Sequence, residues 1–205
     1  MRGDRQRALP VARAVLDLAS EHAMPIWEAF GRFLHSWANW AVGDRQIELA
    51  EMRKGIERLR ELGQRFHLPY LQGLLAKAQA DEGKLNIALA ELDHVLSETS
   101  ATEERWSDAE LHRTRGEILR KCDPTNTAPA EEAFLTAIAI AQQQKARSFQ
   151  LRAALLLAKL YQSSGRPSDA HAVLAPALEG FSPTPEFPEV EEAQALLTAL
   201  AETEE

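Results

Sequence analysis

An all-α chain of repeated antiparallel helix pairs, an α-solenoid, is the fold class this sequence predicts, and three observations predict it. Alanine and leucine dominate the composition while β-branched residues are sparse, which favours helix throughout. A small residue recurs at matched places: Ser36, Ala76 and Gly116 follow one another at intervals of 40, and Ala158 comes 82 after Ala76. A glycine then sits where one helix hands over to the next, at Gly43, Gly83 and Gly165, with a Cys-Asp-Pro turn in the third copy. The two best-matched copies also share Ile47/Ile87, Leu49/Leu89, Ala50/Ala90 and Glu51/Glu91. Self-similarity at a period of roughly 20–50 residues marks a repeat architecture, because one helix pair cannot bury its apolar stripe alone.

Taken in order, Arg5 to His22 carries Ala8, Val11, Ala12, Val15, Leu16 and Ala19 at amphipathic-helix spacing. Pro25 suits the first turn of a second helix, which runs to Val42 and is closed by Gly43. Asp44 is positioned to cap a long third helix, Arg45 to Phe66. Pro69 opens a helix ending near Glu82, and Gly83 turns the chain into another from Lys84 to Glu98. The polar segment from Ser97 to Thr102 reads as a loop, and Glu103 to Lys121 as the next helix. After CDPTNTAP, Pro129 restarts a helix ending near Gln144, and Ser148 to Ser163 is strongly apolar. Gly165 and Pro167 stop one helix and start another, which ends before Gly180. Beyond the proline-rich SPTPEFP, Val190, Ala193, Leu197 and Leu200 share one face of a tenth helix. The expected organisation is a single domain over 1–205: an N-terminal helix in 1–24, repeats at 25–67, 68–101, 102–145 and 146–182, and a capping helix in 183–205. The first helix has no partner before it. Either it caps the array or it is half of a hairpin whose other half lies upstream or in a second copy.

Bulk properties exclude several classes. A net charge of −8 argues for solubility and against a nucleic-acid surface. Cys122 is the one cysteine, so no internal disulfide can form, which fits a reducing compartment. No apolar run nears the roughly 18 residues of a membrane span, and no apolar stretch backs the basic N-terminus as a secretory signal would. A cytoplasmic chain without membrane or nucleic-acid partners is expected.

Catalytic signatures are missing. No glycine-rich turn leads into Gly-Lys-Ser/Thr to cradle phosphates. His22, His35, His67, His94, His112 and His171 show no metal-ligand spacing, and Cys122 stands alone as a helix-end residue. The paired carboxylates Glu103/Glu104, Glu131/Glu132 and Glu191/Glu192 fit first helical turns, where the helix dipole favours them, better than acid–base work. No cofactor, metal or catalytic residue is expected.

The residues resemble tetratricopeptide repeats, which implies a right-handed α-solenoid. That family places a small residue, a bulky one and a turn glycine along the first helix of each pair and small or aromatic residues along the second. Ala158, Tyr161, Gly165, Ala170, Leu174 and Ala177 match best; Ala76, Gly83, Ala88 and Leu92 match in the second copy, and Gly116, Ala130, Phe134 and Ala137 in the third. The first copy departs from the pattern at Glu48 and Gly55, and the period is nearer 40 than the usual 34. HAMPIWEAFGRFLHSWA, ERWSDAELHRTRGEIL and EEAFLTAIAIAQQQKARSFQLRAALLLAKLYQSSGR are similar to the C-terminal tetratricopeptide region of bacterial proteins that join a class III adenylate/guanylate cyclase domain to a signalling ATPase. The phrase from Arg105 to Glu117 is the most specific part, and no cyclase or ATPase motif is present.

In such arrays the first helix of each pair lines a concave groove. Register carries that role to Phe30, Phe33, Trp37 and Trp40, then to Tyr70, Lys77 and Asp81, then to Glu110, Arg113, Glu117, Arg120 and Lys121, and finally to Arg152, Leu155 and Lys159. In that set six basic residues stand against three acidic ones. The resemblance therefore implies an aromatic entrance to a mildly basic groove for an acidic or carboxylate-ended peptide. The competing reading makes the aromatics core and the cations a covering for apolar surface. Two functions follow: a regulatory arm of a cyclase–ATPase signalling protein that contacts an upstream domain, or a free-standing adaptor that binds a peptide. A homodimer through the N-terminal helix is a further expectation.

Overall fold

The structure, a computed structural model, describes residues 5–102, 104–182 and 187–203. Residues 1–4, Glu103, the middle of the proline-rich spacer at 183–186 and the acidic end at 204 and 205 lie outside the described residues. Among the described residues there are ten helices and no strand: α1 (Arg5–Glu21), α2 (Pro25–Asn39), α3 (Arg45–Glu61), α4 (Leu68–Asp81), α5 (Leu85–Thr102), α6 (Asp108–Cys122), α7 (Ala128–Gln143), α8 (Arg147–Ser163), α9 (Pro167–Leu178) and α10 (Pro188–Thr203). They form two compact units, Met1–Glu104 and Arg105–Glu205.

In the first unit each helix packs on the next, from α1 through α5. Phe33, Leu49, Met52 and Leu59 are completely buried between α2 and α3. Asp44 caps α3 as expected, accepting from the amides of Gln46 and Ile47 at 2.9 and 3.2 Å. The two departures from the repeat pattern have physical roles. A Cβ at Gly55 would lie 3.0 Å from the Phe33 Cβ and 3.1 Å from the Ala29 carbonyl, so glycine lets α3 lie close on α2. Glu48 is buried and accepts from Asn39 Nδ2 at 2.7 Å, which fastens the turn between the two helices. Gly43 adopts no left-handed backbone; a side chain there would collide with that Asn39–Glu48 pair at 2.6 Å.

Three boundaries differ most from expectation, beyond the end of α2 at Asn39 rather than Val42. Helix α3 ends at Glu61 rather than Phe66, because Gly63 takes φ +73° and its amide bonds back to the Arg60 carbonyl. Helix α5 runs through the segment expected to be a loop. Thr99, Ser100 and Thr102 donate their hydroxyls to the carbonyls of Leu96, Leu96 and Glu98, which keeps these short polar side chains inside the helix. Helix α6 therefore starts at Asp108; its first-turn acids are Asp108 and Glu110, and Glu104 is not in a helix.

In the second unit α8 touches both α6 and α10, while α7 and α9 pack against their neighbours in sequence. That alternation is what stacked helix pairs require. One apolar core joins Ala130, Phe134, Leu157, Ala158, Leu174 and Ala193. The four small residues that defined the repeat, Ser36, Ala76, Gly116 and Ala158, are all buried. Cys122 ends α6 as expected, but it is exposed rather than packed.

Candidate interaction surfaces

The inward face assigned by register in the first unit is closed. Phe33, Trp37, Trp40 and Tyr70 are 0, 5, 2 and 6% exposed, so they belong to the core and cannot meet a ligand. The groove expectation is corrected for these four. The reason is local cover: α1 packs on α2, the Arg5 guanidinium lies 5.4 Å from the Trp37 ring, and that of Arg45 lies 5.7 Å from Trp40. Lys77 is half-buried on α4, and Asp81 at the end of that helix is exposed.

The inward face of the second unit is charged, but its charges are taken. Arg113, 7% exposed along its side chain, donates from Nε and Nη2 to the two carboxylate oxygens of Glu110 at 3.2 Å each. Its Nη1 donates to Glu117. Arg152 on α8 meets Glu110 at 3.2 Å and Glu189 of α10 at 3.5 Å. Lys159 pairs with Glu192, also on α10. Three cations thus face four carboxylates, and the mildly basic groove becomes a nearly neutral, internally satisfied cluster. For Arg113 and Arg152, 7 and 16% exposed, burial makes such pairs consume each other's charge rather than offer it, whereas Lys159–Glu192, 40 and 53% exposed, is a solvated pair. Arg120 and Lys121 are exposed at the end of α6, and Leu155 is buried in the core. Tyr161 is fixed in a similar way: its hydroxyl donates to Glu131 at 2.9 Å, the Arg166 guanidinium lies 4.1 Å from its ring, and burial first, then Glu131, push its pKa up.

A different surface presents aromatic rings to solvent. Trp27 in the first turn of α2 is 54% exposed, and Phe66 in the α3–α4 turn is 51% exposed. The half-buried Phe30 and the exposed His67 connect them. Ring centroids lie 6.0 Å apart for Trp27–Phe30, 5.2 Å for Phe30–His67 and 4.8 Å for Phe66–His67, the last two edge-to-face. Arg65 of that turn and Leu68 and Pro69 at the start of α4 line a cleft of about 250 Å³, whose walls include Arg60, Gln72 and Glu98. Sequence reasoning missed this ladder, although helical geometry contains its signal. At about 100° per residue, Trp27 falls some 100° away from the centre of the Phe30–Phe33–Trp37–Trp40 stripe, so the stripe's burial leaves it outside.

A direct consequence concerns fluorescence. Of the four tryptophans, Trp37 and Trp40 are buried, Trp106 is half-buried and Trp27 is open. Acrylamide is expected to quench one accessible fraction strongly, and Trp27→Phe to remove most of it. Strong quenching that survives Trp27→Phe would mean that α1 does not cover Trp37 and Trp40.

The sequence matches no protein-family profile and no curated protein. The crystal structure of BtubC (BKLC) from P. vanneervenii is similar to this chain with a TM-score of 0.73 at 17% identity, covering 98% of this chain and 84% of that one. The likeness is one of fold: an all-helical, repeat-like arrangement.

Proposed function

We propose that the chain is a non-catalytic protein-interaction module that engages a polypeptide partner through the aromatic ladder of its first unit. The observation that carries this reading is the pair of half-exposed rings, Trp27 and Phe66, bridged by Phe30 and His67. Exposed aromatics clustered beside arginine are the residues that dominate binding energy in interfaces. Arg65 adjoins Phe66 in sequence and lines the cleft beside it. Trp27→Ser/Phe66→Ser is expected to leave the helical circular-dichroism spectrum unchanged. It should also abolish a partner that wild-type chain retains in cross-linked pull-downs from its own cells. Equal recovery of that partner by the variant would exclude this surface.

The wider setting we propose is the regulatory or scaffold arm of a cyclase–ATPase signalling protein. It is supported by the resemblance of the segment from Arg105 to Glu117 and of the strings around it. The check is the reading frame upstream of Met1: a cyclase or ATPase domain in frame supports the arm, and an unrelated domain counts against it. The alternative, an adaptor that grips an acidic peptide on the inward cations, loses its main support, because Arg113, Arg152 and Lys159 already hold carboxylates of their own chain.

A further inference from the structure

Over its described residues helix α1 is charged against its own dipole. Arg5 and Arg7 lie in its first described turn, which has no acid, while Glu21 closes it and its last turn has no base. The partial charge of a helix is positive at its N-terminus and negative at its C-terminus, so each of these groups sits at the end that repels it. The Arg13–Asp17 pair does not offset this: it is a solvated contact at 3.1 Å with both side chains 62% exposed.

The same helix leaves an apolar seam uncovered. Ala12 and Ala19 are buried, at 3 and 2% exposure, while Val11 and Leu18 are 63 and 56% exposed on another side. At about 100° per residue, Arg7, Val11, Ala14 and Leu18 fall within an arc of roughly 60°, bordered by Glu21. The outer face therefore reads base, apolar, small, apolar, acid from one end to the other. Such a face is complementary to itself when reversed. A two-fold axis at Ala14 sets Val11 against the partner's Leu18 and Arg7 against the partner's Glu21. Antiparallel pairing also brings each helix end beside the opposite end of another dipole.

We propose that the exposed face of α1 is the seam of a symmetric homodimer, occupied by α1 of a second copy running antiparallel. Charge complementarity and dipole alignment together select this occupant: a helix with the ordinary charge order would meet like charges at both ends if antiparallel, and would lay its dipole parallel to that of α1 if it ran the other way. With 17 residues, α1 is about 25 Å long. One helix face of that length falls short of the roughly 800 Å² per partner of a standard stable interface. The dimer is accordingly a weak, reversible one. It stands apart from the aromatic ladder, and either can fail without the other.

Sedimentation equilibrium of the full chain from about 1 to about 300 µM, a range that spans weak association, tests the proposal. In low salt the mean mass should climb from monomer toward dimer, and raising ionic strength should move the midpoint to higher concentration. Leu18→Asn should weaken association by about tenfold or more. Arg7→Glu and Glu21→Arg should each do the same by placing like charges opposite one another. Both exchanges match the helix's own dipole, so neither should lower the melting temperature, and loss of folding cannot mimic the effect. An equimolar mixture of the two variants should recover association, because the carboxylate introduced near the start of α1 in one chain then faces the guanidinium introduced at its end in the other. A chain that stays monomeric throughout, a dimer indifferent to Leu18→Asn, or a mixture that does not recover would each overturn the proposal.

Discussion

Gly116→Val is expected to destabilise the second unit by about 3 kcal/mol, the upper part of the range for overpacking a filled core. A Cβ at that position would lie 2.6 and 2.7 Å from two ring carbons of Phe134, a distance that real contacts do not reach. Phe134 is itself 1% exposed and belongs to the same buried cluster as Ala130, Ala137 and Ala158, so its ring can yield only by displacing a packed core. The propensity gain from replacing a helical glycine, at most about 1 kcal/mol, is smaller than the clash. For a unit of this size each kcal/mol moves Tm by about 4–8 °C, so a drop of more than about 12 °C should appear in calorimetry of the full chain. A second substitution separates packing from backbone effects. Gly116→Ala/Phe134→Leu should recover much of the loss of Gly116→Ala, with a coupling energy of about 1 kcal/mol or more. A Gly116→Val chain that melts with wild type would show that α6 and α7 are not in contact through this ring.

That contact also explains what the sequence could reveal. Ser36, Ala76, Gly116 and Ala158 recur because a larger side chain would push apart the helices that meet there, so sterics write themselves directly into residue size. Capping is equally local, and Asp44 reads correctly for that reason. Charge partners are not local. Arg152 and Glu189 lie on different helices, far apart in the chain, and their meeting depends on how α8 and α10 are rotated about their axes. Register placed the cations on the inward face but could not show that the next helix brings carboxylates to the same place. The aromatics mislead through the same gap. Periodicity gathers Phe33, Trp37 and Trp40 onto one side of α2, yet only the packing of α1 on α2 shows that side to be covered. The α5 boundary fails for a chemical reason: serine and threonine signal a loop by competing for backbone bonds, but inside a helix the same hydroxyls turn back onto the preceding carbonyls.

Arg113→Leu carries the second large effect. Its guanidinium serves Glu110 through two parallel bonds and Glu117 through a third, and the Glu110 side chain is 5% exposed. Removing the cation leaves two carboxylates in a poorly solvated place, with Arg152 still facing Glu110. Breaking one side of a buried pair costs about 3–5 kcal/mol, most of it the stranded charge rather than the lost bonds. The second unit should accordingly unfold at a denaturant midpoint well below that of wild type, with protection of α6 and α8 amides from hydrogen exchange falling first. Arg113→Lys separates charge from shape: it keeps the cation but loses the planar fork, so it should fall between the two. Arg120→Leu, at an exposed position on the same helix, should change stability by less than about 0.5 kcal/mol. If Arg113→Leu costs no more than Arg120→Leu, water reaches the cluster freely, and its cations would again be open to an acidic ligand. If it costs the full amount, Arg113 is committed to neutralising Glu110 and Glu117 of its own helix, and recognition must be sought on the exposed rings of the first unit.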